Sequence, residues 1–278
     1  MWKKLIPFLL ALSLLINFSI SPSFAKPLDT DFSLSFEEAS APGGQYTDTG
    51  DPSTDHPLKN NPGEPPVNDP GTASSGGELG FSSEYINTRN DVGLTDGDYV
   101  GVTSYTGDVG SYPDGSQGFE LSDCDGKVVT SVQAIDTSGA TGTATVSIDY
   151  FVKSTGWETD DELRIWVVLD DTTEVDIINT AGSDIDDLGI EGSWHTGSVD
   201  IDLTNVNKLQ LKFSLDSNSG SEAVYFDNIQ ITNVTPNAIT FAGMNASHDL
   251  NNNVIIALLV GFSVLLFVGF WLRRRTTH

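Results

Sequence analysis

Two stretches of strict alternation set the limits on what this chain can fold into. Ala144, Val146, Ile148, Tyr150 and Val152 share one parity, with Thr145, Ser147 and Asp149 on the other. Leu209, Leu211, Phe213 and Leu215 alternate in the same way with Lys208, Gln210, Lys212 and Ser214. A period of two buries one face of a strand and wets the other, as in antiparallel sheets packed face to face. Further segments rich in Val, Ile, Thr and aromatics, bounded by Gly, Asp, Asn and Ser, read as strands: 32–36, 99–104, 118–121, 128–135, 162–169, 174–178, 194–202 and 223–231. No stretch outside the two termini carries a helical period. About ten strands in roughly 200 residues predict an all-β jelly-roll β-sandwich.

The two ends read differently. Lys3 and Lys4, the apolar run from Leu5 to Ile16, and Ser23 and Ala25 at the −3 and −1 positions make a secretory signal over residues 1–25, an uncleaved anchor being the competing reading. Val254 to Leu272 holds no charge and would form roughly 28 Å of helix, close to the hydrocarbon thickness of a bilayer. Arg273, Arg274 and Arg275 follow at once, and positive charge resists translocation. The expectation is a single-pass cell-envelope protein: ectodomain 26–235 outside, polar spacer 236–253, transmembrane helix 254–272, and a short cytoplasmic tail 273–278. A GPI-type signal competes, but its hydrophobic tail ends without a basic stop.

Pro42 to Pro70 contains seven of the twelve prolines and few apolar residues, so residues 42–77 read as an irregular loop inserted after the first strand.

All 39 acidic residues lie between the two terminal segments, against eight basic ones, a formal net charge of −31 there. Such a surface repels nucleic acid and anionic headgroups. Cys124 is the sole cysteine, so no intramolecular disulfide forms and the core must hold itself together, helped by any bound ions.

Phe36-Glu37-Glu38 near the start and Val224-Tyr225-Phe226-Asp227-Asn228-Ile229-Gln230-Ile231 at the end resemble the first and last strands of bacterial galactose-binding-like jelly rolls, the group that includes many carbohydrate-binding modules. Asp96-Gly97-Asp98-Tyr99-Val100-Gly101-Val102 resembles the second strand of such domains in exported, C-terminally anchored bacterial proteins. The resemblance covers roughly residues 32 to 232; no LPxTG or Pro-Glu-Pro signal precedes the anchor.

Asp227 has the parity of Tyr225, Ile229 and Ile231, and a carboxylate on a core face needs a partner. The resemblance implies a structural Ca²⁺ held by Asp227 with Glu37 or Glu38, with Asp96 and Asp98 as further ligands; hard oxygen donors suit that ion. The open alternative buries the Val224/Phe226 face and leaves Asp227 solvated. Asp123-x-Asp125-Gly126 begins like a calcium loop but carries Lys127 at a ligand position.

In Leu163–Leu169 the odd positions are apolar, so Trp166 shares the outer face with Arg164, an indole beside a guanidinium able to stack on a sugar and bind its hydroxyls. Trp157 and Trp194 are further ligand candidates, and coverage by a loop or by the Arg164 stem is the competing reading. No Gly-x-Ser-x-Gly, His-Glu-x-x-His or phosphate-binding loop is present. The expected function is a non-enzymatic surface protein whose Ca²⁺-stabilised domain binds extracellular glycan or neighbouring surface material. A structural envelope component and a glycan-active hydrolase are the alternatives.

Overall fold

The computed structural model of the chain describes residues 30–234. The signal segment, spacer, transmembrane helix and basic tail expected from the sequence lie outside them. Among the described residues no helix is long and apolar enough to cross a membrane.

Among the described residues, fourteen strands form two antiparallel sheets. The first contains β1 (Thr30–Leu34), β5 (Tyr99–Thr103), β6 (Gly118–Ser122), β9 (Thr143–Val152), β12 (Trp194–Asp202) and β14 (Ala223–Val234), in the order β12-β9-β14-β6-β5 with β1 also on β14. The second contains β2 (His56–Pro57), β3 (Asn68–Gly71), β4 (Leu79–Ile86), β7 (Gly126–Val132), β8 (Ile135–Asp136), β10 (Glu162–Leu169), β11 (Thr173–Asn179) and β13 (Lys208–Ser217). Its order is β11-β10-β13-β7-β4-β2, with β3 on β4 and β8 on β13. This is the all-β sandwich that alternation predicts.

The predicted core faces are the observed ones. Ala144, Val146 and Ile148 of β9, Leu163, Ile165 and Val167 of β10, and the four apolar positions of β13 are all buried in one core. At its centre, Phe213 of β13 crosses to the opposite sheet, stacking on Phe226 of β14 with centroids 4.2 Å apart and meeting Phe119 of β6 edge-on at 5.5 Å.

Strand β4 breaks the simple pattern. Leu79, Phe81 and Tyr85 alternate into the core, but the position between them is Ser83. Its hydroxyl is kept there by Val67 O and Thr130 Oγ1, both 2.9 Å away. One buried hydroxyl interrupts the apolar run from which a strand is read.

The Pro-rich segment does more than its composition predicts. It contributes β2 and β3 to one edge of β4. It also covers the edge of β5, where Tyr46 N donates to Asp98 O at 2.7 Å and Val102 N donates to Pro66 O at 3.1 Å. Tyr46, Leu58 and Val67 enter the core. A proline-rich chain closing the open side of a sandwich protects two strand edges that would otherwise invite pairing with another molecule.

Strand β14 holds the second departure from sequence parity. Val224 and Phe226 face the core, as do Ile229 and Ile231, which differ from them by an odd number of residues. The register shift between Asp227 and Gln230, with Asn228 at φ 47°, absorbs the difference. Asp227 therefore does not share a face with Ile229 and Ile231, as unbroken alternation required. It lies on the side of Tyr225, where the partner on one edge of β14 changes from β6 to β1.

Candidate functional site

Sequence reasoning nominates five carboxylates for a cation, and the structure divides them. Asp227 is buried, and its oxygens accept from Asp114 N at 2.8 Å and Asn228 N at 2.6 Å. Glu37 Oε1 accepts from Ser116 N and Gln117 N, both at 2.6 Å, and Glu38 Oε2 accepts from Thr72 Oγ1 at 2.5 Å. Asp227 and Glu37 thus hold the loop before β6 through N–H donors, a bonding pattern that satisfies an anion without a metal. Two groups of three acids converge within 4.8 Å among the described residues: Asp96, Asp98 and Asp125, and Glu158, Asp161 and Glu222. Neither contains Asp227, Glu37 or Glu38.

The tryptophans are more covered than exposed. Trp166 does lie on the outer face of β10, in a small cluster with Val129 and Val168, but only 6% of its surface is accessible. The Arg164 guanidinium sits 4.5 Å from the ring centroid, held there by Glu174 and Asp176 of β11 at 2.7 and 2.8 Å. A ring face taken by a paired guanidinium is not free for another planar partner. Trp157 is in the core, with Nε1 donating to Lys153 O. Trp194 donates to Ser111 O and packs on Phe151 and Tyr112.

The exposed aromatics that line a cavity are tyrosines. Tyr99, 44% accessible, and Tyr105, 54% accessible, border a cavity of about 530 Å³ on the outer face of the six-stranded sheet. Its floor is Glu120 and Ser122 of β6 with Ala223 of β14, and its rim includes Asp108, Lys153 and the Gly43-Gly44 turn. Strand pairing of Tyr225 with Glu120 places both side chains on this face. Nothing in the sequence singled out Tyr99 from other strand tyrosines, or Tyr105 in the loop after β5, as a ligand contact. The usable signal was parity, since Val100 and Val102 face the core and so send Tyr99 outward.

A polar chain joins three residues of the cavity lining, Glu120, Asp108 and Lys153, through the buried Tyr225. The Tyr225 hydroxyl lies 2.9 Å from Asp108 Oδ2 and 3.0 Å from Glu120 Oε1, and Lys153 Nζ lies 3.2 Å from the same Asp108 oxygen. One phenolic proton cannot serve two carboxylates. Burial pushes the Glu120 carboxyl up to about 7, against the pull of the Tyr225 hydroxyl and with help from Asp108. In its protonated form Glu120 donates to Tyr225, which then donates to Asp108, beside Lys153.

This has a pH consequence. Glu120 holds its proton more tightly folded than unfolded, so its contribution to stability is full below about pH 4.5 and is lost as pH rises through about 7. Asp98, pushed to about 8 by burial and then by Asp96, acts in the same direction. With divalent ions chelated, the melting temperature is expected to fall between pH 5 and pH 8. Glu120→Gln should remove about 2 kcal/mol of that slope, as read by thermal unfolding across the pH series; an unchanged slope would contradict the proton assignment.

No protein-family model and no curated protein matches the chain. Among solved structures it is similar to TmCBM61 in complex with β-1,4-galactotriose, at 11% identity and TM-score 0.34, over 48% of this chain and 81% of that one. It is similar to the K2 cleaved adhesin domain of Lys-gingipain at 14% identity and TM-score 0.36, over 73% and 99% of the two chains. The CBM22-1–GH10 modules of Clostridium thermocellum xylanase 10B, complexed with xylohexaose, match at 16% and 0.30, over 48% of this chain and only 24% of that one. At these values the all-β sandwich rests on the strand pairing itself.

Proposed function

We propose that the Tyr99/Tyr105 cavity binds an extracellular glycan, presented outside a membrane by the tether expected at residues 254–272. One observation carries the reading: two accessible tyrosines border a glycan-sized cavity with Glu120 on its floor and Asp108 and Lys153 on its rim. Aromatic rings stack on the apolar C–H faces of sugars, while fixed acids and amines select hydroxyls. The net negative charge opposes nucleic acid as the ligand.

Glycan-array screening of the purified chain, followed by titration calorimetry on the best ligand, tests this. Tyr105→Ala and Tyr99→Ala should each weaken binding about ten-fold or more, since one stacked ring contributes on the order of 1–2 kcal/mol. Trp166→Ala should leave affinity intact; loss there instead would move the site to the Trp166/Arg164 face nominated from sequence. No glycan bound at millimolar concentration would favour the structural envelope role.

One observation favours a second reading. Glu120 and Asp108 lie 3.0 and 2.9 Å from one hydroxyl, a close pair of carboxyl groups of the kind glycoside hydrolysis uses, and burial raises the Glu120 member to about 7. Release of reducing ends by the native chain but not by Glu120→Gln would replace simple binding with turnover.

A further inference from the structure

The register of β5 and β6 pairs Tyr99 with Ser122. The residues just beyond that pair are Asp98 on one strand and Asp123 on the other, so antiparallel pairing brings the Asp96-Gly97-Asp98 turn against the Asp123-Cys124-Asp125 turn that leads into β7. Carboxylate oxygens of Asp96, Asp98 and Asp125 lie within 4.8 Å of one another. Four acids gathered by two turns on a strongly acidic surface are in themselves unremarkable.

Asp98 makes this group different. It is 1% accessible, and neither of its carboxylate oxygens has a hydrogen-bond partner. Its backbone is fixed in place, the carbonyl accepting from Tyr46 N at 2.7 Å. Among the described residues no lysine, arginine or histidine comes within ion-pairing distance of Asp96, Asp98, Asp123 or Asp125. Arg89, which acts on Asp125 through space, is committed to Asp160, Asp161 and Asp216. A buried carboxylate with two bare oxygens costs several kcal/mol unless something positive meets it.

We infer that Asp96, Asp98 and Asp125, with Asp123 beside them, bind one Ca²⁺ where the start of β5 meets the β6–β7 turn. The donors are all hard oxygens, and the three carboxylates come from two separate turns. That suits an ion tolerant of six to eight ligands in irregular geometry better than Mg²⁺, which demands a near-octahedral shell. The site shares Asp96 and Asp98 with the set nominated from sequence, but it excludes Asp227, Glu37 and Glu38, whose oxygens already meet N–H and O–H donors. It stands independently of the glycan reading, because none of its ligands borders the tyrosine cavity.

The test is calorimetric titration of Ca²⁺ into the EGTA-treated full chain at pH 7.5, with melting curves in EGTA and in Ca²⁺. One ion per chain and a rise of about 5 °C or more at saturation are expected. Asp98→Asn should weaken Ca²⁺ binding about 100-fold or more, yet melt in EGTA no lower than the native chain, because an amide carries no charge to desolvate. Asp96→Asn, at an exposed position that tolerates the change, should weaken binding about ten-fold even if Asp98→Asn fails to fold. Asp227→Asn should keep the ion. No heat and no melting shift with Ca²⁺ would overturn the inference. Full affinity in both the Asp96 and Asp98 variants would do the same, and loss confined to Asp227→Asn would move the ion to the last strand. A response to Mg²⁺ equal to that to Ca²⁺ would overturn the choice of ion.

Discussion

Phe213→Ala is expected to destabilise the domain by about 4 kcal/mol, the middle of the range for emptying one aromatic site in a core. The ring is fully buried on β13, at the centre of the eight-stranded sheet, and reaches across to the six-stranded one. It stacks on Phe226 at 4.2 Å and meets Phe119 edge-on at 5.5 Å. Phe119 in turn contacts Phe36 and Phe81, both at 5.5 Å. Removing Phe213 therefore leaves a void at the middle of a continuous aromatic chain, lined by strands from both sheets that cannot collapse without breaking register. Urea unfolding followed by tryptophan emission should show a lower midpoint with an unchanged slope. Phe213→Leu, which keeps most of the volume, should cost only about 1–2 kcal/mol. Equal losses from the two substitutions would mean that ring stacking, and not the filling of space, sets the cost.

That centre was legible in the sequence because alternation is a local property that tertiary structure rarely reverses. Leu209 to Leu215 announce their buried face residue by residue, and the structure keeps it. Legibility failed where a residue is governed by something distant in the chain. Ser83 occupies a core position of β4 only because Val67 and Thr130 supply its hydrogen bonds, so the strand around it does not read as one. The bulge at Asp227 and Asn228 is set by the change of β14's neighbour from β6 to β1, which no local pattern records.

The candidate sites follow the same division. Parity placed Trp166 on the outer face of its sheet. It could not reveal that Arg164 closes the ring, because the acids that fix Arg164 come from the neighbouring strand β11. Asp125 had a readable turn signature, and Lys127 argued against it as an EF-hand-like loop. The structure gathers it instead with Asp96 and Asp98 across a strand pair, a geometry that has no linear spacing. The tyrosine cavity is of this kind too: Tyr99, Glu120 and Lys153 are far apart in sequence and meet only through sheet order.

Arg89→Ala should cost about 3–5 kcal/mol, the range for breaking a buried ion pair from one side. Arg89 lies in the loop after β4 and is itself mostly covered. Its guanidinium meets Asp161 Oδ1 at 2.8 Å, Asp160 Oδ2 at 2.9 Å and Asp216 Oδ1 at 2.9 Å, tying that loop to the turn before β10 and to the end of β13. The Asp161 side chain is 0% accessible. The same Asp161 belongs to the second group of converging acids, with Glu158 and Glu222, so the guanidinium is the positive partner that group already has. Without it, the two buried acids of that group, Asp161 and Glu222, face each other and the exposed Glu158 with no counter-charge. Burial already pushes Asp161 to about 6 and Glu222 to about 8, and loss of the cation, which pulls Asp161 down, raises Asp161 further. Because folding then retains protons that the unfolded chain releases, the variant should lose stability as pH rises. Its deficit against the native chain should be smaller at pH 5 than at pH 8. Asp160→Asn, at an exposed position of the same ion-pair set, should stay close to native, as surface pairs generally do. Melting curves of the three proteins at the two pH values check this, and a deficit in Arg89→Ala that does not change with pH would mean packing of the arginine stem, and not the buried charge, is what the loop depends on.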